Sequence, residues 1–254
     1  MHVAITGAAG EVGRTVAPAF DSHRLTLFTH SDHADLDSQI LDMTDKSGFV
    51  AAVEGVDTLV HLAWATGESD DWETSHETNA RMALNALQAA RENGVDRVVL
   101  TSSCHVLGMY NRDDQSAFES VVPDPEVTVT PEMPLRPDSY YGVAKATVEA
   151  LASYYADRYA LEVVVVRIGW LLSREELRET RSGADARHRY ARAMWLSPRD
   201  CRALFEAAVA ARIDRSPVIA HGISRNGDRY LSLTETMQRI GYRPRDDAVE
   251  ELDR

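Results

Sequence analysis

Lysine is nearly missing from this 254-residue chain, where Lys46 and Lys145 stand against 25 arginines. Basic charge is short altogether. The 27 Lys and Arg face 40 Asp and Glu, and the net charge of −13 repels nucleic acid and anionic membrane surfaces, which are set aside as partners. Two cysteines, Cys104 and Cys201, are too few for a disulfide framework and lack metal-ligand spacing. A cytoplasmic protein with free thiols and no metal is expected. No apolar run approaches the ~18 residues of a membrane span, and the opening "MHVAITGAAG" reads as strand and turn, not as a leader. The acidic residues form no block, so they describe a solvated surface, one suited to high salt where screening removes self-repulsion.

A hydrophobic fraction of 44% supplies a real core. Apolar runs rich in β-branched residues, "HVAIT" (2–6), "RLTLFT" (24–29), "TLVHLAW" (58–64), "RVVLTSS" (97–103) and "EVVVVRI" (162–168), alternate with helical stretches at 73–93 and 138–160. A shorter third strand, "SQILDM", leads to Asp42. The alternation predicts an α/β, Rossmann-type doubly wound parallel sheet. Residues 111–137 hold five of the nine prolines and predict a long loop. The expected division is a dinucleotide-binding region over 1–168 and a small, interleaved substrate-binding lid over 169–254.

"ITGAAGEVGRTV" sets Gly7, Gly10 and Gly13 after the first strand and at the start of a helix. A tight turn, close approach to a pyrophosphate and tight helix–sheet packing each call for a residue without a side chain. The second strand ends in Thr29, His30 and Ser31, with no carboxylate for a ribose 2′-hydroxyl; Asp32 lies just beyond. NAD and NADP both stay open, with a lean to NADP. Asp42 is placed either to meet an adenine edge or to cap a helix.

On a helix Tyr141 and Lys145 share a face, and "TSSCH" brings Ser102 and Ser103 to the same edge of the sheet. A tyrosine titrating near ~10 is a poor base at neutral pH, and an ammonium one turn away would lower that value. Lysine is also a compact donor where arginine is a wide planar one.

The motifs "TGAAGEVG" (6–13), "HLAW" (61–64), Asn79, "TSSCHVLG" (101–108), "YGVAK" (141–145) and "RIGWL" (167–171) resemble the extended short-chain dehydrogenase/reductases, the NAD-dependent epimerase/dehydratase family. The resemblance spans almost the whole chain and is strongest to the short sugar C1-dehydrogenases, namely uronate dehydrogenases and salt-adapted glucose-6-phosphate dehydrogenases. It implies a Ser103–Tyr141–Lys145 triad, with Tyr141 taking the proton of a sugar C1 hydroxyl while hydride passes to the nicotinamide, giving a lactone. It implies a cofactor cleft of Gly7, Ala9, Gly10, Glu11, Val12, Gly13, Thr29, His30, Ser31, Asp42, Met43, Leu62, Ala63, Trp64, Asn79, Thr101 and Ile168, with Tyr141 and Lys145. It also implies a homodimer or higher oligomer through the two long helices.

On the substrate side the resemblance places Cys104, His105, Trp170, Arg189, Tyr190 and Arg192. Three departures stand out. Cys104 and Trp170 replace an asparagine and a serine that bind substrate in the uronate dehydrogenases, and their carboxylate-binding arginine aligns at or beside Tyr190. Arg187, Arg189 and Arg192 can be a solvated helix face, but with no acid between 187 and 192 they suit a carboxylate or phosphate, and an anionic sugar, a uronate or sugar phosphate, is the expected substrate. His105 either meets substrate or serves its loop. Trp170 and Trp195 either stack on a sugar or fill the lid. A nucleotide-sugar epimerase or dehydratase is the alternative reading, against which stands the short segment after Gly169. A non-enzymatic NAD(P)-binding regulator is a further one, against which stands the complete triad.

Overall fold

The computed structural model describes residues 1–65, 72–110, 112, 121 and 127–253. Five strands follow one another in the first part of the chain: β1 (His2–Thr6), β2 (Arg24–Thr29), β3 (Gln39–Ile40), β4 (Thr58–His61) and β5 (Arg97–Ser103). Then come β6 (Glu162–Ile168), the two-residue strands β7 (Trp170–Leu171) and β8 (Trp195–Leu196), and β9 (Val218–Gly222). β1–β6 and β9 form one parallel sheet in the order β3-β2-β1-β4-β5-β6-β9, while β7 pairs with β8. The strand order reverses between β1 and β4, the place where open α/β sheets bind ligands beyond their carboxyl ends.

Consecutive residues of the central strands face opposite cores, which is why their sequences run apolar without alternation. Val3 and Ile5 pack on one side with Phe20, Leu204 and Phe205; Ala4, Val98 and Leu100 pack on the other with Phe49, Leu87 and Val148. The helices are α1 (Glu11–Val16), α2 (Lys46–Ala52), α3 (Asn79–Asn93) and α4 (Tyr140–Tyr159), then α5 (Arg174–Glu179), α6 (Asp185–Met194), α7 (Pro198–Ala210), α8 (Thr234–Ile240) and α9 (Ala248–Leu252), of which α5 and α9 pack in a separate small cluster with Leu172 and Trp195. α3 ends at Gly94 in the left-handed conformation (φ 65°), and α4 starts on Ser139, whose hydroxyl accepts from the Gly142 N–H.

Three local expectations shift. The long helix expected over 73–93 is wound as a π-helix over Glu73–Thr78 before α3 begins. The strand expected over "TLVHLAW" stops at His61, because Asn79 takes over the backbone beyond it, bonding the N–H and carbonyl of Ala65. The third strand shrinks to Gln39–Ile40, an exposed edge with one neighbour. Most of the loop expected over 111–137 (111, 113–120 and 122–126) lies outside the described residues.

Candidate active site

The glycine turn leads directly off β1. Gly7 sits at φ +69° with its α-carbon hard against β4's extension; a Cβ there would stand 2.7 Å from the Ala63 nitrogen. Gly13 is equally confined, a Cβ falling 2.4 Å from the Gly7 carbonyl oxygen. Gly10 caps α1 and brings no side chain to its first-turn N–H groups, those of Glu11, Val12 and Gly13. Ala8 and Leu62 tie the turn to the sheet through Phe28 and Thr6 carbonyls, so Ala9, Leu62 and Ala63 all border it. Such a cradle fits a dinucleotide's pyrophosphate. One polar atom fits as well: the buried Thr101 hydroxyl has no hydrogen-bond partner.

At the end of β2, Thr29 is buried and its hydroxyl is spent on Ser38, 2.9 Å away, whereas His30 and Ser31 are exposed. Arg14, from α1, bonds the Ala9 carbonyl and pairs with Asp35 at 2.7 Å, placing a guanidinium and a carboxylate beside the glycine turn. Asp42 accepts from the N–H and hydroxyl of Thr44, which hold it below the usual carboxylate value; Met43 is buried in the core.

The triad assembles at the carboxyl ends of β5 and β6. Ser103 closes β5 and accepts from the His105 N–H, and it is also the hydrogen-bond partner of the Tyr141 phenol. Burial pushes Tyr141 up to about 12, and the Ser103 bond only partly opposes this. Lys145 does not offset this burial, because it turns elsewhere. Its Nζ donates to the Thr101 carbonyl at 2.8 Å and lies 3.8 Å from the Trp64 ring centre, but 5.7 Å from that of Tyr141. Burial pulls Lys145 down to about 7, with Glu149 one turn along α4 acting to raise it. Glu149 in turn is paired with Arg167 (2.8 Å) and accepts from Ser102 (2.6 Å), a buried network that sequence reading missed. Cys104 is an inert wall residue, raised to about 12 by burial.

The substrate side is aromatic. His105 stands edge-on to Tyr141 (centroids 5.6 Å apart) and stacks on Tyr190 (6.0 Å), which leans on Trp170 (5.8 Å). Tyr190 is buried on α6. The nearby arginines have other engagements: Arg187 lies over the Trp170 ring, Arg189 donates to the Val121 carbonyl, and Arg192 pairs with Asp228 at 2.6 Å. Trp195 is fully buried with its indole N–H on the Leu172 carbonyl, so it fills the lid core. Ile168 ends β6 ahead of Gly169, whose α-carbon abuts the Met194 carbonyl. Asp138, bonded to both His105 and Arg112, and Arg112 itself also escaped sequence reading; the signal was a carboxylate three residues before Tyr141. Among the described residues no cluster of His, Cys, Asp or Glu could hold a metal, and no helix is long and apolar enough to cross a membrane.

Comparison with known proteins agrees with this geometry. The model of the "NAD dependent epimerase/dehydratase family" matches residues 3–194. The chain is 47% identical to an L-arabinose 1-dehydrogenase (NAD(P)(+)) of Haloferax volcanii, over 98% of each chain. It is 33% identical to an NAD-dependent glucose-6-phosphate dehydrogenase of the same organism, over 98% of this chain and 94% of that one. The crystal structure of uronate dehydrogenase from Agrobacterium tumefaciens superposes with a TM-score of 0.78 at 27% identity, covering 98% of this chain and 86% of that one.

Proposed function

The chain belongs to the NAD dependent epimerase/dehydratase family, and from that premise we propose that it is an NAD(P)-dependent dehydrogenase oxidising C1 of a small, neutral aldose to the lactone. The observation that carries this reading is the convergence of Ser103, Tyr141 and Lys145 against an aromatic wall. Tyr141 accepts the proton of the C1 hydroxyl, and Ser103 bonds the same oxygen and holds it in line. Lys145 keeps a positive charge in the cleft and offers a compact donor to the cofactor's ribose. A bound oxidised nicotinamide supplies the acceptor for the C1 hydrogen and its electron pair.

Neutrality of the sugar is argued from α6. The carboxylate-binding arginine of uronate dehydrogenases aligns at or beside Tyr190, whose phenol burial keeps protonated. The L-arabinose 1-dehydrogenase is named for a neutral pentose. An anionic sugar is the second reading, favoured by the arginines on α6 and by the likeness to enzymes named for glucose-6-phosphate and uronate. For the cofactor, the missing carboxylate on β2 and the nearby Arg14 support use of NADP as well as NAD, with NADP preferred.

The same reading includes adaptation to high salt, a cytoplasmic location and a homodimer. α4 turns Tyr140, Ala150 and Tyr154 outward, an exposed apolar stripe that α3 continues with half-exposed Leu84 and Gln88. Light scattering should give twice the chain mass. The deciding assay offers neutral aldoses, uronates and sugar phosphates with NAD or NADP in molar salt, followed by nicotinamide absorbance. Fastest turnover of a neutral pentose or hexose supports the proposal; turnover of uronates alone, or of no sugar, sinks it.

A further inference from the structure

We infer that Asp138, clamped by Arg112, is a positioning residue that fixes the tautomer of His105, so that Nδ1 carries the proton and Nε2 faces substrate as an acceptor for the sugar's C2 hydroxyl. The inference rests on the sugar-oxidising reading of the site.

The Asp138 carboxylate is 1% exposed and is surrounded by donors. His105 Nδ1 lies 2.9 and 3.1 Å from its two oxygens, Arg112 at 2.5 Å and the Ser139 hydroxyl at 2.8 Å. Burial alone would raise its titration, but bonds from His105, Ser139 and Arg112 leave it below the ordinary carboxylate value. An ionised carboxylate only accepts, so the proton between it and His105 belongs to Nδ1. The backbone is built around this clamp. Arg112 is anchored by the Gly108 carbonyl at 2.7 Å, and a Cβ on Gly108 would fall 1.6 Å from the Asp138 carboxylate.

With Nδ1 protonated, the neutral ring has its lone pair on Nε2. The Tyr190 hydroxyl lies 3.4 Å from that nitrogen, longer than a good hydrogen bond, so a closer sugar hydroxyl can displace it. Ser103 and Tyr141 hold the reacting oxygen, and His105 stands edge-on to the Tyr141 ring. With C1 at that oxygen, the substituent next to C1 is placed beside this acceptor in the proposed arrangement. In a cyclic aldose C1 has two ring neighbours, the ring oxygen, which has no proton, and C2, which bears a hydroxyl. Only the latter can donate.

Two measurements test this. In ¹⁵N-labelled wild-type protein the His105 imidazole, assigned with His105→Gln, should show a protonated Nδ1 and a bare Nε2 at pH 8. A protonated Nε2 overturns the role of Asp138. In kinetics, the aldose should exceed its 2-deoxy analogue in kcat/KM by at least roughly tenfold to a hundredfold, since a site built to bond a hydroxyl rejects the analogue lacking it. Asp138→Asn should collapse that ratio towards one through the KM of the aldose, with the cofactor KM unchanged. A ratio that survives in a folded Asp138→Asn, as judged by cofactor affinity, overturns the inference. Should that variant not fold, Gly108→Ala displaces the carboxylate without removing its charge, and the same ratio is read there. A wild-type enzyme that oxidises no aldose sinks the parent reading and the C2 contact together, while the tautomer still decides the role of Asp138.

Discussion

Lys145 carries its ammonium 3.8 Å above the Trp64 ring centre, sealed from water between that indole, the Thr101 carbonyl and α4. The ring face and the carbonyl offset part of the desolvation of the charge, and Glu149 adds to this. They do not offset all of it, because Lys145 still titrates at about 7 against an ordinary 10.5. In the folded state the proton is bound less tightly than in the unfolded one. The folding cost is therefore complete below pH 7 and is relieved as pH rises from about 7 towards 10.5. Lys145→Met should abolish turnover and raise stability at pH 6 by about 2 kcal/mol, or roughly 4–8 °C in thermal midpoint. The gain should shrink by pH 9. A gain that grows with pH, or a destabilised variant at pH 6, would show that the charge is comfortable where it lies.

Tyr141→Phe removes the proton acceptor and leaves the glycine cradle untouched. Turnover should fall at least about a hundredfold, the range of a lost general base, while NAD(P) affinity stays within twofold. In the intact enzyme, oxidation should quicken as pH rises through the alkaline range, since burial holds the phenol at about 12 before cofactor charge acts on it. Retained activity in the phenylalanine variant would move the base to His105.

Cofactor choice should turn on the Arg14–Asp35 pair, 2.7 Å apart beside the glycine turn. Asp35→Ala leaves Arg14 available to a 2′-phosphate, so kcat/KM for NADP should rise relative to NAD by roughly tenfold, the effect of one charge-assisted contact. Arg14→Ala should shift the ratio the other way. If neither variant moves it, the ribose is read by His30 or Ser31.

The surface carboxylates should make stability depend on salt. Dialysis from molar salt to ~10 mM lengthens the screening distance from about 3 to about 30 Å, and the net charge of −13 then repels itself. The unfolding midpoint should drop by several degrees and recover when sodium chloride is restored. An unchanged midpoint would leave the composition without that meaning.

The sheet, the glycine turn and the shared helix of Tyr141 and Lys145 were legible because each is local in sequence: a run of β-branched residues, three glycines in seven positions, and a tyrosine and lysine one turn apart. What could not be read depends on contacts distant along the chain. Lys145 meets Trp64 from another strand's extension, and the Arg167–Glu149 pair joins β6 to α4 across 18 residues. Asp138 looks like a helix-start residue until the fold brings His105 and Arg112 to it. Spacing likewise shows a charge near Tyr141 but not the burial that raises it, which the lowering expected from Lys145 with an oxidised nicotinamide has to overcome. Arg192 read as a candidate anion ligand until Asp228, 36 residues on, proved to be its partner.

Tyr190 supplies the sharpest test of substrate class. It is buried between His105 and Trp170, and on the proposed reading it stands at or beside the position of the uronate dehydrogenases' arginine. Its hydroxyl can bond a neutral sugar but offers no charge to a carboxylate. The wild-type enzyme should therefore favour a neutral aldose over the matching uronate. Tyr190→Arg would place a guanidinium in a water-poor wall, where it is costly unless paired, and the uronate carboxylate would pair it. Such a contact is worth about 1.5–3 kcal/mol, so kcat/KM for the uronate should rise roughly tenfold to a hundredfold while the neutral aldose loses ground. Alanine at Arg187, Arg189 or Arg192 should change either substrate by less than ~0.5 kcal/mol, as for side chains outside the contact. A large loss at one of these arginines, confined to the anionic sugar, would return the anion site to α6 and overturn the neutral reading. Equal losses on both sugars would mean instead that the Trp170 and Val121 contacts hold the lid together.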